Sequence, residues 1–353
     1  MKQKEFKIGR ANFDGKRTIV VAEAGVNHLG RFDYAEELIK TAARAGADIV
    51  KFQTYKADKL TTKNAPRFWN WEGEKKQDGS QYDSYSLLDS FGPDQYRQLK
   101  ALCDKYNVEF LSTPFDEEAV DLLVEIGSEG FKIASCDLNN LPFLEYVGKT
   151  KLPVLLSTGA STIAEIRRAV DTLETAGTRG ICIMHCTLCY PTDPKDSNLS
   201  ALHDIAANFP GYILGLSDHT MGTIVPAASV LYGVRVIEKH YTFDKHLPLS
   251  ADHWLSMDEA QLKQIVDDVR VLESAIGNGK KVLLECETPA HKFARRSIVA
   301  ARQVAAGTVL SSDDLAIKRP GTGLPPEFFE RLVGRRTTRA LAADTLLTLE
   351  DVQ

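Results

Sequence analysis

The feature that most narrows the folds open to this chain is a recurring pattern. Eight short runs rich in Val, Ile, Leu and Phe follow one another: TIVVAEAG (18–25), DIVKFQ (48–53), EFLSTP (109–114), GFKIAS (130–135), PVLLSTG (153–159), ICIMHCT (181–187), ILGLSDH (213–219) and VRVIEKHYT (234–242). Amphipathic stretches separate them, as in YAEELIKTAARAG (34–46), where apolar positions return every three or four residues and Gly46 supplies a C-cap. AVDLLVEIG, IAEIRRAVDTLETAG and LSALHDIAANF repeat that pattern. Apolar runs alternating with helices are the mark of βα units around a parallel sheet, and eight of them predict an α/β fold, a (β/α)8 TIM barrel, more than an open sheet.

The barrel does not use the whole chain. At roughly 150 residues per domain, 353 residues ask for more than one unit. A helix reads over 257–276 and GNGKK ends it, so residues 1–276 form the barrel domain. Residues 277–294, with Pro289, read as an exposed linker, and 295–353 return to short strands and turns, a small β-rich domain that needs another surface to pack against. At the other end, EFKIGRANFDGKRTIV holds a DG turn between strand-like runs and predicts a hairpin closing one end of the barrel.

Charge and composition exclude several partners. Lys and Arg total 43 against 48 Asp and Glu, a net charge of −5, so no cationic field favours nucleic acid. No apolar run reaches the roughly 20 residues of a membrane span and the start lacks a signal-peptide core, so a cytoplasmic protein without a membrane partner is expected. The six cysteines do not form a disulfide framework. Cys186 and Cys189 have C-x-x-C spacing with no second pair to complete a zinc knuckle, and they read as buried thiols on a strand.

Polar and ionisable residues gather at the C-terminal ends of the runs: Glu23, Lys51 and Gln53, Thr113, Lys132 and Ser135, Ser157, His185, Ser217 and His219, Lys239 and His240. In a barrel these ends converge on one mouth. Strand ends are polar wherever loops begin, but eight successive runs ending in chemistry-capable groups are harder to assign to that cause. His219 and His240 end adjacent runs, so their imidazoles could share a divalent ion acting as a Lewis acid on a carbonyl, although each alone is compatible with a structural role. Lys51 and Lys132, with the hydroxyls of Thr113, Ser135, Ser157 and Ser217, suit a phosphate or carboxylate; a Schiff-base lysine and plain salt bridges are the competing readings.

The runs AEAGVNHLG, KFQT, FLSTPF, FKIAS, LLSTGAS, HCTLCYPT, GLSDHT and IEKHYTFD, in this order, resemble the N-acetylneuraminate (sialic acid) synthase family, and RRSIVAARQVAAGTVLSSDDLAIKRPGTG resembles its C-terminal antifreeze-like (SAF) domain. The resemblance implies a barrel that condenses phosphoenolpyruvate with the open-chain aldehyde of an N-acylated amino sugar, giving a nonulosonic acid and phosphate. It implies a metal, usually manganese (Mn2+), on His219 and His240, and phosphoenolpyruvate held by Lys51, Thr113, Lys132, Ser135, Ser157 and Ser217. Glu23 matches an acidic residue near the reacting end, and Gln53, Tyr190, Asp252 and the position of Asp137 match sugar contacts. Arg319 in KRPG matches an arginine that the small domain donates to a partner subunit's site, which implies a domain-swapped homodimer.

Departures from the family pattern fall on the sugar side. Leu188 stands where sialic acid synthases tend to have Asn, Asp137 where many have Glu, and Ser250 and Ala251 replace a glycine-proline pair; NAPRFWNWEGEKK (64–76) has no clear Asn at the expected sugar contact. An apolar Leu188 suits a deoxy or differently acylated sugar. Two other classes stay open, a pyruvate-dependent aldolase and a non-catalytic carbohydrate-binding protein, and the retained Lys, His and Glu set argues against the second.

Overall fold

The computed structural model describes residues 5–69, 79–247 and 252–353. Ser250, Ala251 and positions 70–76 of the tryptophan-containing stretch lie outside the described residues. The chain divides into two compact units, residues 1–277 and 278–353.

In the first unit a hairpin of β1 (Phe6–Ile8) and β2 (Ala11–Phe13) precedes eight strands: β3 (Ile19–Gly25), β4 (Ile49–Thr54), β5 (Glu109–Pro114), β6 (Phe131–Ile133), β7 (Val154–Ser157), β8 (Ile181–Cys186), β9 (Ile213–Asp218) and β10 (Val236–His240). They form one parallel sheet in the order β5-β4-β3-β10-β9-β8-β7-β6. The end strands β5 and β6 lie side by side, so the sheet curls into a nearly closed barrel with one seam that has no ladder among the described residues. Helices return the chain between strands. Phe32–Ala45 buries Ala35, Leu38, Ile39 and Ala42 and stops at Gly46, whose φ of 82° is left-handed and whose N–H reaches the Ala43 carbonyl at 3.1 Å.

Strand alternation sorts the apolar residues into two cores. Val20, Ala22, Val50, Phe52, Phe110, Leu156, Ile183, Leu216 and Ile237 point outward and pack under the helices. Ile19, Val21, Ile49, Leu111, Leu155, Cys182, Met184, Ile213 and Val236 point inward and fill the base of the barrel, where Phe6, Ile8, Ala11 and Phe13 of the hairpin join them. Phe6 and Phe13 stack at 4.6 Å across the hairpin. The hairpin therefore closes the base, but its turn is Gly9–Arg10 and not the expected Asp14–Gly15, which instead links β2 to β3. Gly9 has a φ of 51°, which the tight turn requires, and the Asp14 carboxylate accepts from the Lys16 N–H at 2.9 Å in the later turn.

The second unit has its own core of Ile298, Ala300, Val304, Leu310, Leu315, Leu332, Leu341 and Leu347. Its strands β11 (Ser297–Ala300) and β12 (Leu315–Lys318) pair antiparallel. Residues 278–294 are largely exposed and contain a short helix, Thr288–Phe293. Contacts in this unit recur at a spacing of 341 − 304 = 37 residues: Val304 and Leu341 exchange backbone bonds of 2.8 and 2.9 Å, and Ala300 N–H to Thr345 O matches Thr337 N–H to Thr308 O, both 2.9 Å. Arg302 and Asp314 (2.9 Å) correspond to Arg339 and Asp351 (2.6 Å). The unit is an internal duplication that pairs with itself.

Candidate active site

The C-terminal strand ends open on a cavity of about 300 Å³. Its floor is built from the inward positions next above the apolar base. Lys51 on β4 places its Nζ 2.9 Å from Glu23 Oε2, 3.0 Å from Thr113 Oγ1 and 3.7 Å from Glu238 Oε1. Lys132 on β6 places its Nζ 3.5 Å from the same Glu238 oxygen, which also accepts from Ser217 Oγ at 3.0 Å. Gln53 donates to Glu23 Oε1 at 2.9 Å. Lys51, Lys132, Glu23 and Glu238 are all at most 4% exposed, so each charge depends on the others.

Burial and pairing split the two acids. Burial raises the Glu23 carboxyl, with Lys51 opposing and Glu238 adding to the rise. Burial would raise Glu238 too, but Lys132 and Lys51 together hold it down at about 2. Burial works against the charge on both lysines; it prevails at Lys132, which is lowered, while Glu23 and Glu238 keep Lys51 raised. Two polar atoms on this floor, Ser157 Oγ and Glu238 Oε2, are buried without a hydrogen-bond partner. Leaving such atoms unpaired costs about 1–3 kcal/mol each, and a ligand of matching polarity in the cavity would relieve it.

Above the floor His219 and His240 stand with ring centroids 5.6 Å apart. His219 Nδ1 lies 3.0 Å from the Thr187 carbonyl, which only accepts, so Nδ1 carries a proton; burial works against charge on this ring, but Cys186 and the Thr187 carbonyl prevail and raise it. Burial lowers His240 to about 4, leaving a neutral imidazole whose Nδ1 sits 3.6 Å from Asp252 Oδ2 with no hydrogen-bond partner. Two imidazoles, in the neutral form that a cation would select, are the donor set of an open divalent-ion site. Among the described residues no cluster of three His, Cys, Asp or Glu side chains completes a closed one.

This architecture has relatives. A family model described as NeuB family matches residues 38–281, and one described as SAF domain matches 295–353. The chain belongs to the NeuB family. It is 38% identical to the N,N'-diacetyllegionaminic acid synthase of Legionella pneumophila, over 95% of this chain and 94% of that one. It is 32% identical to the N-acetylneuraminate-9-phosphate synthase of Mus musculus, over 95% and 92%. Its fold superposes on the N-acetylneuraminic acid (sialic acid) synthetase of Leptospira borgpetersenii with a TM-score of 0.72, at 32% identity, covering 81% of this chain and 95% of that one. A barrel followed by a SAF domain is thus the architecture of this NeuB-family chain.

The geometry brings together most of the residues singled out from sequence. Glu23, Lys51, Gln53, Thr113, Lys132, Ser135, Asp137, Ser157, Tyr190, Ser217, His219 and His240 all line the cavity. Asp252 reaches it through His240. Arg319 is exposed in the second unit. Two residues expected at the mouth face the other way, because each sits one residue out of phase with the inward side chains of its strand. His185 binds the Ser197 carbonyl at 2.8 Å, and Lys239 pairs with Asp218 at 2.6 Å under the helices. Cys189 is exposed in the loop, whereas its partner in the motif, Cys186, is buried.

Sequence reasoning missed Glu238 and Cys186, both inward and both on the cavity. Counting by twos from His240 and from Cys182 would have found them. Cys186 Sγ lies 3.9 Å from His219 Nδ1. Gly159 makes room there: its N–H donates to Ser135 Oγ at 2.9 Å, and an added Cβ would lie 2.8 Å from that hydroxyl and 3.2 Å from Leu188 Cβ.

Proposed function

We propose that the chain condenses phosphoenolpyruvate with the open-chain aldehyde of an N-acylated amino sugar, N-acetylmannosamine or a deoxy diacetamido relative, to give a nonulosonic acid and phosphate. The observation that carries this reading is the floor of the cavity: two buried lysines and four hydroxyls beside a pair of imidazoles, in a NeuB-family chain. Lys51, Lys132, Thr113, Ser135, Ser157 and Ser217 hold the carboxylate and phosphate. Gln53, Asp137, Tyr190 and Asp252 face the sugar.

His219 and His240 would hold a divalent cation, Mn2+ in our reading, which when bound supplies Lewis acidity at the aldehyde oxygen. The enolpyruvate C3 forms its bond to the aldehyde carbon, and C2, left electron-poor, takes the oxygen of a water. The C2–O bond to phosphorus then breaks. One proton of that water ends on the new hydroxyl and the other on the phosphate. Glu23, fixed by Lys51 and Gln53 at 2.9 Å each, takes the first of these protons as general base. Glu238 keeps the two lysines apart and aimed.

The reading includes a domain-swapped homodimer in the cytoplasm, with the partner subunit's Arg319 completing the sugar side. Phosphate release that requires phosphoenolpyruvate, an amino-sugar aldose and a divalent cation together is the expected result; turnover with pyruvate in place of phosphoenolpyruvate would overturn it. Mixing Arg319→Ala with His240→Ala tests the swap. Heterodimers then contain one intact site, and statistical exchange returns about a quarter of wild-type activity. No return despite confirmed exchange places Arg319 outside the partner's site.

A further inference from the structure

The cavity has a second wall of which the reading above uses only Tyr190. Phe68, in the segment after β4, meets Trp69 edge-on at 5.0 Å and lies 6.4 Å from Tyr190, beyond β8. The series continues from Trp69 to Tyr85 at 5.8 Å, from Tyr85 edge-on to Tyr55 at 5.7 Å, and from Tyr55 to Phe115 at 5.9 Å. Phe68, Tyr85, Phe115 and Tyr190, with Leu60 and Leu188, line the same cavity as the lysine floor. The arc therefore joins loops from different strands into one largely aromatic surface over the mouth, with Phe68, Phe115, Leu60 and Leu188 its apolar part.

A single exposed phenylalanine needs no explanation. Phe68 differs because it is 57% exposed and yet held by two ring contacts at the rim of a cavity whose floor is charged. The following argument rests on the condensation reading. The acceptor's aldehyde carbon has to meet the floor beside His219 and His240, so the rest of its carbon chain runs outward past Tyr190, whose ring is 4.2 Å from that of His219. The outer carbons then lie against the arc. Phenylalanine and leucine side chains return no hydrogen bond to a hydroxyl pressed on them, whereas a methyl group placed there leaves water at a gain.

We propose that this arc is the specificity wall for the acceptor, with Phe68 its determining residue, and that it selects an amino sugar whose outer carbon is deoxy over one that carries a hydroxyl there. Phe68 takes no part in the chemistry and none in holding phosphoenolpyruvate.

The test measures kcat/KM for both acceptor types, by phosphate release, in the wild type, Phe68→Ala and Phe68→Leu. The wild type should favour the deoxy acceptor by about tenfold or more, the scale of one or two apolar groups in a pocket. Phe68→Ala should cut that preference about tenfold, with the KM for phosphoenolpyruvate unmoved, and Phe68→Leu should restore most of it. A wild-type preference for the hydroxylated acceptor overturns the proposal, as does a preference unchanged in Phe68→Ala. Equal loss on both acceptors together with a raised phosphoenolpyruvate KM reports a disturbed site and overturns it too. If the wild type releases no phosphate with either acceptor, the condensation reading itself has failed and the wall falls with it.

Discussion

At the base of the barrel the inward side chains are Val21, Ile49, Leu111, Leu155 and Val236, and two residues further along the same five strands they are Glu23, Lys51, Thr113, Ser157 and Glu238. The backbone is the same parallel ladder at both levels. The base is sealed by the hairpin and holds only atoms that gain by leaving water. The mouth holds two lysines and two acids, buried as deeply, that gain nothing by leaving water except through each other and through a ligand. One turn of side-chain alternation thus separates the part of the barrel that stabilises from the part that reacts. Mutations at the two levels should divide accordingly.

The largest expected effect is at the mouth. His240→Ala should lower turnover about 10³-fold, the scale of a lost Lewis acid, while leaving the melting temperature of the metal-free protein unchanged or higher, because the imidazole is buried with an unpartnered Nδ1. A protein destabilised by that change would erase the distinction between the levels.

Phe13→Ala makes the opposite case. It removes a ring that is 1% exposed and stacked on Phe6, so denaturant titration should show a loss of about 3–4 kcal/mol. Turnover per folded molecule should not change. A specific loss of kcat would mean that the base is coupled to the mouth through the strands.

A smaller effect concerns pH. His28, in the loop after β3, stacks on Phe91 at 4.1 Å, accepts from the Gly30 N–H at 3.1 Å, and is lowered by burial to about 3. Its folded pKa lies below its unfolded one, so its contribution is complete above pH about 6.5 and is lost as pH falls toward 3. Between pH 7 and 5 that amounts to about 2 kcal/mol. His28→Gln should flatten the stability–pH slope by that amount over this range, and an unaltered slope would show that the imidazole already carries its proton.

The smallest effect belongs to the rim of the base, where Arg10 pairs with Asp104 at 2.7 Å, both about half exposed. Arg10→Ala should change stability by less than about 1 kcal/mol. A larger loss would show that the hairpin turn, and not the apolar plug, holds the base closed.

All eight barrel strands were legible in the sequence because each is buried on both faces and reads as a continuous apolar run between turns. The ends of those runs pointed to the mouth for the same reason. The errors came where composition gave no phase. Lys239 and His240 are adjacent and equally polar, and only the pleat sends one under the helices and the other into the cavity. The Asp-Gly pair was a good turn signal that serves a different turn. The 37-residue duplication is present in RQVAAGTVLSSDDL and RALAADTLLTLEDV, but apolar equivalents replace one another there, so pattern reading passed over it.

By itself the sequence determined the number of strands, their order along the chain, the second unit and nearly every ionisable group at the site, since these follow from local periodicity and from residue type. Only the tertiary structure decided which side each of those groups faces, that Glu238 is the anion shared by Lys51 and Lys132, and that Phe68 meets Tyr190 across the mouth. Those facts depend on strand register and on contacts between residues far apart in sequence, which closure of the ring creates and no local window contains.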